Sequence, residues 1–117
     1  MNATVTDAKT IAADIRKAVR AATRTEGDAL HGLTISVRYR TASRMEAIGI
    51  TVKGLGDDIL FTERGPDVYG SRRGWSQRAR AISDRLHELA APGFEWETGR
   101  HSFCDIDFDG TCAPAPR

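Results

Sequence analysis

Nowhere in these 117 residues does an apolar run approach the roughly 18 to 20 residues needed to cross a bilayer, so no membrane-spanning helix is expected. The first ten residues mix Asp7 and Lys9 with small polar side chains and lack the apolar stretch of a signal peptide, which makes a cytoplasmic protein the expectation. Cysteine is scarce: Cys104 and Cys112 are too few for a disulfide framework and are expected to be reduced. Neither sign of charge dominates, the formal net charge being +1, and this balance settles nothing about polyanion binding or acidic mimicry of DNA. Only local charge is informative. Lysine is nearly absent, three residues against fourteen arginines, as in the coding bias of a GC-rich genome, so an arginine cluster here does not by itself imply a ligand.

Motifs for catalysis are also missing. There is no Gly-x-Ser-x-Gly, no phosphate-binding glycine loop and no pair of metal-binding histidines, and His31, His87 and His101 stand apart as polar surface or turn residues. No catalytic residue and no cofactor are expected. His101, Cys104 and Cys112 would offer zinc at most three ligands at a spacing unlike closed structural sites. Asp105-x-Asp107-x-Asp109-Gly110 matches the opening of a calcium loop, but Pro116 stands where the bidentate Glu belongs and no helix precedes it. A strand with an acidic outer side is the reading adopted, and no metal is expected.

What is present is amphipathic patterning on the scale of one domain, taken as residues 6–110 with a disordered tail at 111–117. Ala8, Ile11, Ile15, Ala18, Val19 and Ala22 recur at helical spacing behind a Thr6 cap, predicting a helix from Asp7 to Thr25, released at Gly27. Leu33, Ile35, Val37 and Tyr39 alternate with Thr34, Ser36, Arg38 and Arg40, and Ile48, Ile50 and Val52 alternate with Gly49, Thr51 and Lys53, predicting a hairpin. Ile59 and Phe61 suggest a short third strand. Trp75, Ala79, Ile82, Leu86 and Leu89 form one stripe of a second helix capped by Ser71 and ended by Pro92 and Gly93. Phe94, Trp96 and Thr98, then Cys104, Ile106 and Phe108, read as a closing hairpin turned at Gly99–Ser102. The order α-β-β-(β)-α-β-β predicts an α+β two-layer sandwich, two helices on one face of a four- to five-stranded, mainly antiparallel sheet.

The other face of that sheet would meet solvent or a partner. It would carry Arg38, Arg40 and Lys53 from the first hairpin and Glu95, Glu97, Asp105 and Asp107 from the last. Side-by-side hairpins would make these ordinary cross-strand ion pairs; separated ones would make a bipolar face able to dock a protein partner or a second copy. A rival site is the basic strip Ser71, Arg72, Arg73, Arg78, Arg80 and Arg85, joined by Arg16 and Arg20 of the first helix, which suits an anion or a nucleic acid backbone. Its plain alternative is solvated arginine, or a helix that begins near Ser76.

Ile15-Arg16-Lys17, Leu33-Thr34-Ile35-Ser36-Val37-Arg38 and Ile48-Gly49-Ile50-Thr51-Val52 together resemble a large polyvalent protein-associated domain of phages and conjugative elements, over the first half of the chain. The resemblance implies a small mobile-element protein that binds a host or element-encoded macromolecule, and carries over no site residues. The expected function is therefore a non-enzymatic interaction protein using the open sheet face, with nucleic-acid binding through the arginine-rich helix surface as the alternative and a small enzyme as the third.

Overall fold

The computed structural model describes residues 7–55 and 76–109. The fold is α+β, and the described residues form a three-stranded mixed sheet with three helices: α1 (Ala8–Thr23), β1 (Thr34–Ala42), β2 (Met45–Lys53), α2 (Gln77–Leu89), α3 (Ala91–Trp96) and β3 (Ser102–Phe108). Strand order is β1-β2-β3.

Helix α1 starts one residue later than expected, with Asp7 and not Thr6 as its cap. Asp7, in extended conformation, accepts the Thr10 N–H on its carboxylate at 2.8 Å, filling one of the donor positions that a helix start leaves open. Residues Ala8, Ile11, Ala12, Ile15, Val19 and Ala22 are buried, as the spacing requires. Beyond Arg24 the chain turns through Gly27, whose φ of 84° lies in the region glycine enters freely. The following loop is pinned by Asp28. Its carboxylate accepts the Leu30 N–H at 3.0 Å and the Arg85 guanidinium of α2 at 3.0 and 3.2 Å, beneath which Leu30 is fully buried.

The Leu30 N–H first, then the Arg85 guanidinium, holds the Asp28 carboxyl below its ordinary range against the opposing effect of desolvation. Because the native carboxyl binds its proton less readily than the unfolded one, the stabilisation is complete above the unfolded value of about 4 and is lost as pH falls through the native one. Asp28→Asn should therefore lower the urea midpoint at about pH 7, and the gap to the parent should close towards about pH 3. An equal gap at both pH values would reject the carboxylate's role.

Strands β1 and β2 form the expected hairpin in the register Val37↔Ile50 and Arg38↔Gly49. Ser43 and Arg44 close it with φ of 45° and 73°, the left-handed pair whose twist matches that of the strands. The Tyr39 hydroxyl, half-buried, donates to Glu46 at 2.5 Å, so its polar tip is satisfied.

The second half departs from expectation. Phe94 and Trp96 do not lie on a strand: they belong to α3, and β3 pairs parallel to β2 with Ile48↔Cys104 and Ile50↔Ile106. Pro92 begins this short helix, where its missing N–H is harmless, rather than ending the previous one. Buried Ala90 and Gly93, with half-buried Phe94, recur at helical steps of three and four. With no strand at 94–98 there is no closing hairpin, and the chain returns over α2 and α3 to enter the sheet in the direction of β2, as a parallel crossover demands. The mainly antiparallel four- to five-stranded sheet is thus replaced by three mixed strands among the described residues; the segment of Ile59 and Phe61 lies outside them. Helix α2 begins after Ser76, which accepts the Ala79 N–H at 3.0 Å, and not after Ser71.

Ile48, Ile50 and Val52 of the central strand, Val37 of β1 and Cys104, Ile106 and Phe108 of β3 are all buried on one face. There they join Ile11, Ile15 and Val19 of α1 and Ala79, Ile82 and Leu86 of α2 in a single core, with α1 lying against β1 and α3 against β3. Both outer strands have side chains on their free edges. The Arg16 guanidinium donates to the Val37 carbonyl at 2.7 and 3.2 Å, and the Glu97 carboxylate accepts the Cys104 N–H at 3.0 Å. These occupy backbone groups that an edge otherwise offers to another strand.

Candidate functional site: the outer sheet face

Because side chains alternate across a strand, the residues between the core positions share the opposite face. Pairing sets them in rows: Arg40, Ala47 and Phe103; Arg38, Gly49 and Asp105; Ser36, Thr51 and Asp107. β1 carries Arg38 and Arg40 and β3 the carboxylates, while between them β2 supplies the small side chains of Ala47, Gly49 and Thr51, with Met45 at one end and Lys53 at the other. At the β1–β2 turn, Met45 is 41% exposed, and half-buried Phe103 lies near that end.

Two strand spacings of about 4.8 Å separate β1 from β3, so the opposite charges are not cross-strand neighbours. Among the described residues no direct ion pair joins Arg38 or Arg40 to Asp105 or Asp107. Arg40 comes nearest: at Gly49 a Cβ would lie 3.6 Å from Arg40 Nη2 and 3.8 Å from Asp105 Oδ1, so the guanidinium leans over the glycine towards the carboxylate. The absent side chain provides that path. Desolvation first, then the neighbouring Asp107 and more weakly Glu97, push the Asp105 carboxyl above its ordinary range, while Arg40 pulls it down. Among the described residues Arg40 is the cation that offsets this carboxylate.

Of the seven residues expected on this face, Arg38, Arg40, Lys53, Asp105 and Asp107 share it, Lys53 in the row of Thr34. Glu95 and Glu97 do not. Their segment is helical up to Trp96, and Glu97 turns to the β3 edge. Met45 and Phe103 were missed because a lone Met at a turn and a Phe beside His101 carry no period of their own.

The arginine strip is divided. Arg16 is held by the Val37 carbonyl and Arg85 by Asp28 and Glu88, the latter at 2.7 Å, so two guanidinium groups serve the fold. Arg20, Arg78 and Arg80 are exposed, the last two in the first turn of α2. Ser71, Arg72 and Arg73 lie outside the described residues and precede the Ser76 cap, so the arginine pair is not in that first turn.

No family model, curated protein or solved structure matches the chain.

Other chemistry-bearing groups are placed as follows. His87 Nδ1 lies 2.8 Å from the Ser83 carbonyl oxygen and 3.3 Å from Ser83 Oγ, and the shorter contact assigns its proton to the carbonyl. That nitrogen is then a donor and no base for the fully buried Ser83 hydroxyl. The His87 ring stacks on Phe94 at 5.0 Å, beside a shallow groove of about 400 Å³ that Glu95 and Glu97 also line. Cys104 is a buried thiol, 2% exposed; Cys112 is outside the described residues. Among the described residues no three His, Cys, Asp or Glu side chains gather to hold a metal ion, and no helix is long and apolar enough to cross a membrane.

Proposed function

We propose that this chain is a non-enzymatic interaction protein that binds a protein partner, or itself, through its outer sheet face. One observation supports the reading above the others: a face with arginines along one outer strand, carboxylates along the other, the small residues Ala47, Gly49 and Thr51 between them, and exposed Met45 at one end of the middle strand with Lys53 at the other. Folding does not require this separation, since surface charges contribute to stability about equally well when interspersed. A protein surface of complementary charge gains from it directly, because aligned opposite charges steer encounter and fix register. The patterning shared with phage and conjugative-element domains agrees with a small binding protein of a mobile element. The nucleic-acid alternative has less support, because Arg16 and Arg85 are engaged within the chain.

A photo-crosslinking residue at Thr51, in the middle of this face, should trap protein in cells, whereas the same residue at exposed Asp84 on α2 should trap little. Trapping from position 84 alone, or of nucleic acid in place of protein, would reject the reading.

A further inference from the structure

We propose that the partner of the outer sheet face is a second copy of this chain, the two faces pairing about a two-fold axis that runs along β2. The inference rests on the interaction reading above and names its partner.

The axis follows from symmetry and charge. A two-fold axis in the plane of the face has two simple settings. Set across the strands, it lays β1 on β1 and β3 on β3, cation on cation and carboxylate on carboxylate. Set along β2, it leaves each row at its own level and exchanges the outer strands, so that Arg38 of one copy stands over Asp105 of the other, twice. Only this setting puts the arginines of β1 over the carboxylates of β3; its like-charge contact is Lys53 against Lys53 at the end of β2. It brings Gly49 against Gly49 on the axis, where the cover is the Arg40 guanidinium and the Asp105 carboxylate that lean over the glycine, and Ala47 against Ala47 beside it. In the Ala47 row Arg40 meets Phe103, an arginine over an aromatic ring, and near the axis Met45 meets its own copy.

The partner also brings cations to the carboxylates of β3. Asp105 and Asp107 repel one another, and among the described residues Arg40 leans towards Asp105. The β1 strand of a second copy brings two guanidinium groups to the same place. Face-packed sheets lie about 10 Å apart, a gap that an extended arginine and a short aspartate can bridge together. Three strands of seven rows present roughly 300 Å² per copy, well below the ~800 Å² of a standard interface, so the pairing is weak, with a Kd in about the micromolar to millimolar range.

Sedimentation equilibrium of the purified protein up to about 1 mM should show a monomer–dimer equilibrium whose Kd rises at least about tenfold between about 50 mM and about 500 mM salt. Two variants carry the geometry. R38D/R40D makes the face predominantly acidic, with Lys53 left at one end, and D105R/D107R makes it basic; each alone should be monomeric, and mixed they should form a one-to-one heterodimer. A parent that stays monomeric at every concentration overturns the self-pairing, as does a dimer indifferent to salt or a mixture that fails to pair. Crosslinks from Thr51 to a different protein, with a monomeric parent, would remove self-pairing and leave the broader interaction reading standing.

Discussion

Gly93→Ala should unfold at a lower urea concentration than the parent, by about 1–3 kcal/mol, although helix propensity alone predicts a gain of roughly 0.5–1 kcal/mol. The two expectations have opposite signs, so the measurement separates them. A Cβ at Gly93 would stand 2.7 Å from Cys104 Sγ and 3.1 Å from Ile15 Cδ1, closer than atoms of that size pack. The isoleucine methyl can rotate aside, but the sulfur hangs from a paired strand and moves only with it. Glycine is required here by the approach of α3 to β3, not by its dihedral angles. Cys104→Ala removes the sulfur and leaves the Cβ at 3.7 Å and the rotatable Ile15 methyl at 3.1 Å, so in the double variant Gly93→Ala should recover much of its loss. Strict additivity in a double-mutant cycle would show that the contact does not limit packing.

Phe108→Ala should lose about 3–5 kcal/mol, a large fraction of what holds a domain of this size. Its ring is 1% exposed at the end of β3, in register with Val52 of the central strand, where the Asp109 N–H closes the ladder on the Val52 carbonyl at 2.8 Å. Deleting it empties the core where α2 and the sheet converge, and removes the terminal apolar anchor of a strand that, among the described residues, pairs on one side only. Met45→Ala is the matched control: exposed on the outer face, it should shift the urea midpoint by no more than about 0.5 kcal/mol. Equal effects of the two changes would show that β3 is not packed as described.

The outer face was legible in part. Alternation alone put Arg38, Arg40 and Lys53 on one side of the hairpin and Asp105 and Asp107 on one side of the last strand, because a period of two leaves no other assignment. Whether these charges neutralise one another depends on which strand lies between them, and that is a long-range fact. Glu95 and Glu97 were misplaced for the same reason. Phe94-Glu95-Trp96-Glu97 alternates as a strand does, yet buried Ala90 and Gly93 lie just upstream at helical spacing, and packing against β3 favoured that pattern.

The residues by themselves determined α1, the β1–β2 hairpin and the inward stripe of α2, since each is written in local periodicity and capping chemistry that neighbours along the chain can read. Tertiary structure decided the rest: the parallel entry of β3, the helix at Ala91–Trp96, and the commitment of Arg16 to a sheet edge and Arg85 to Asp28. A guanidinium has the same local signature whether it faces water, a carbonyl or a carboxylate. Only the position of distant segments gives it a partner.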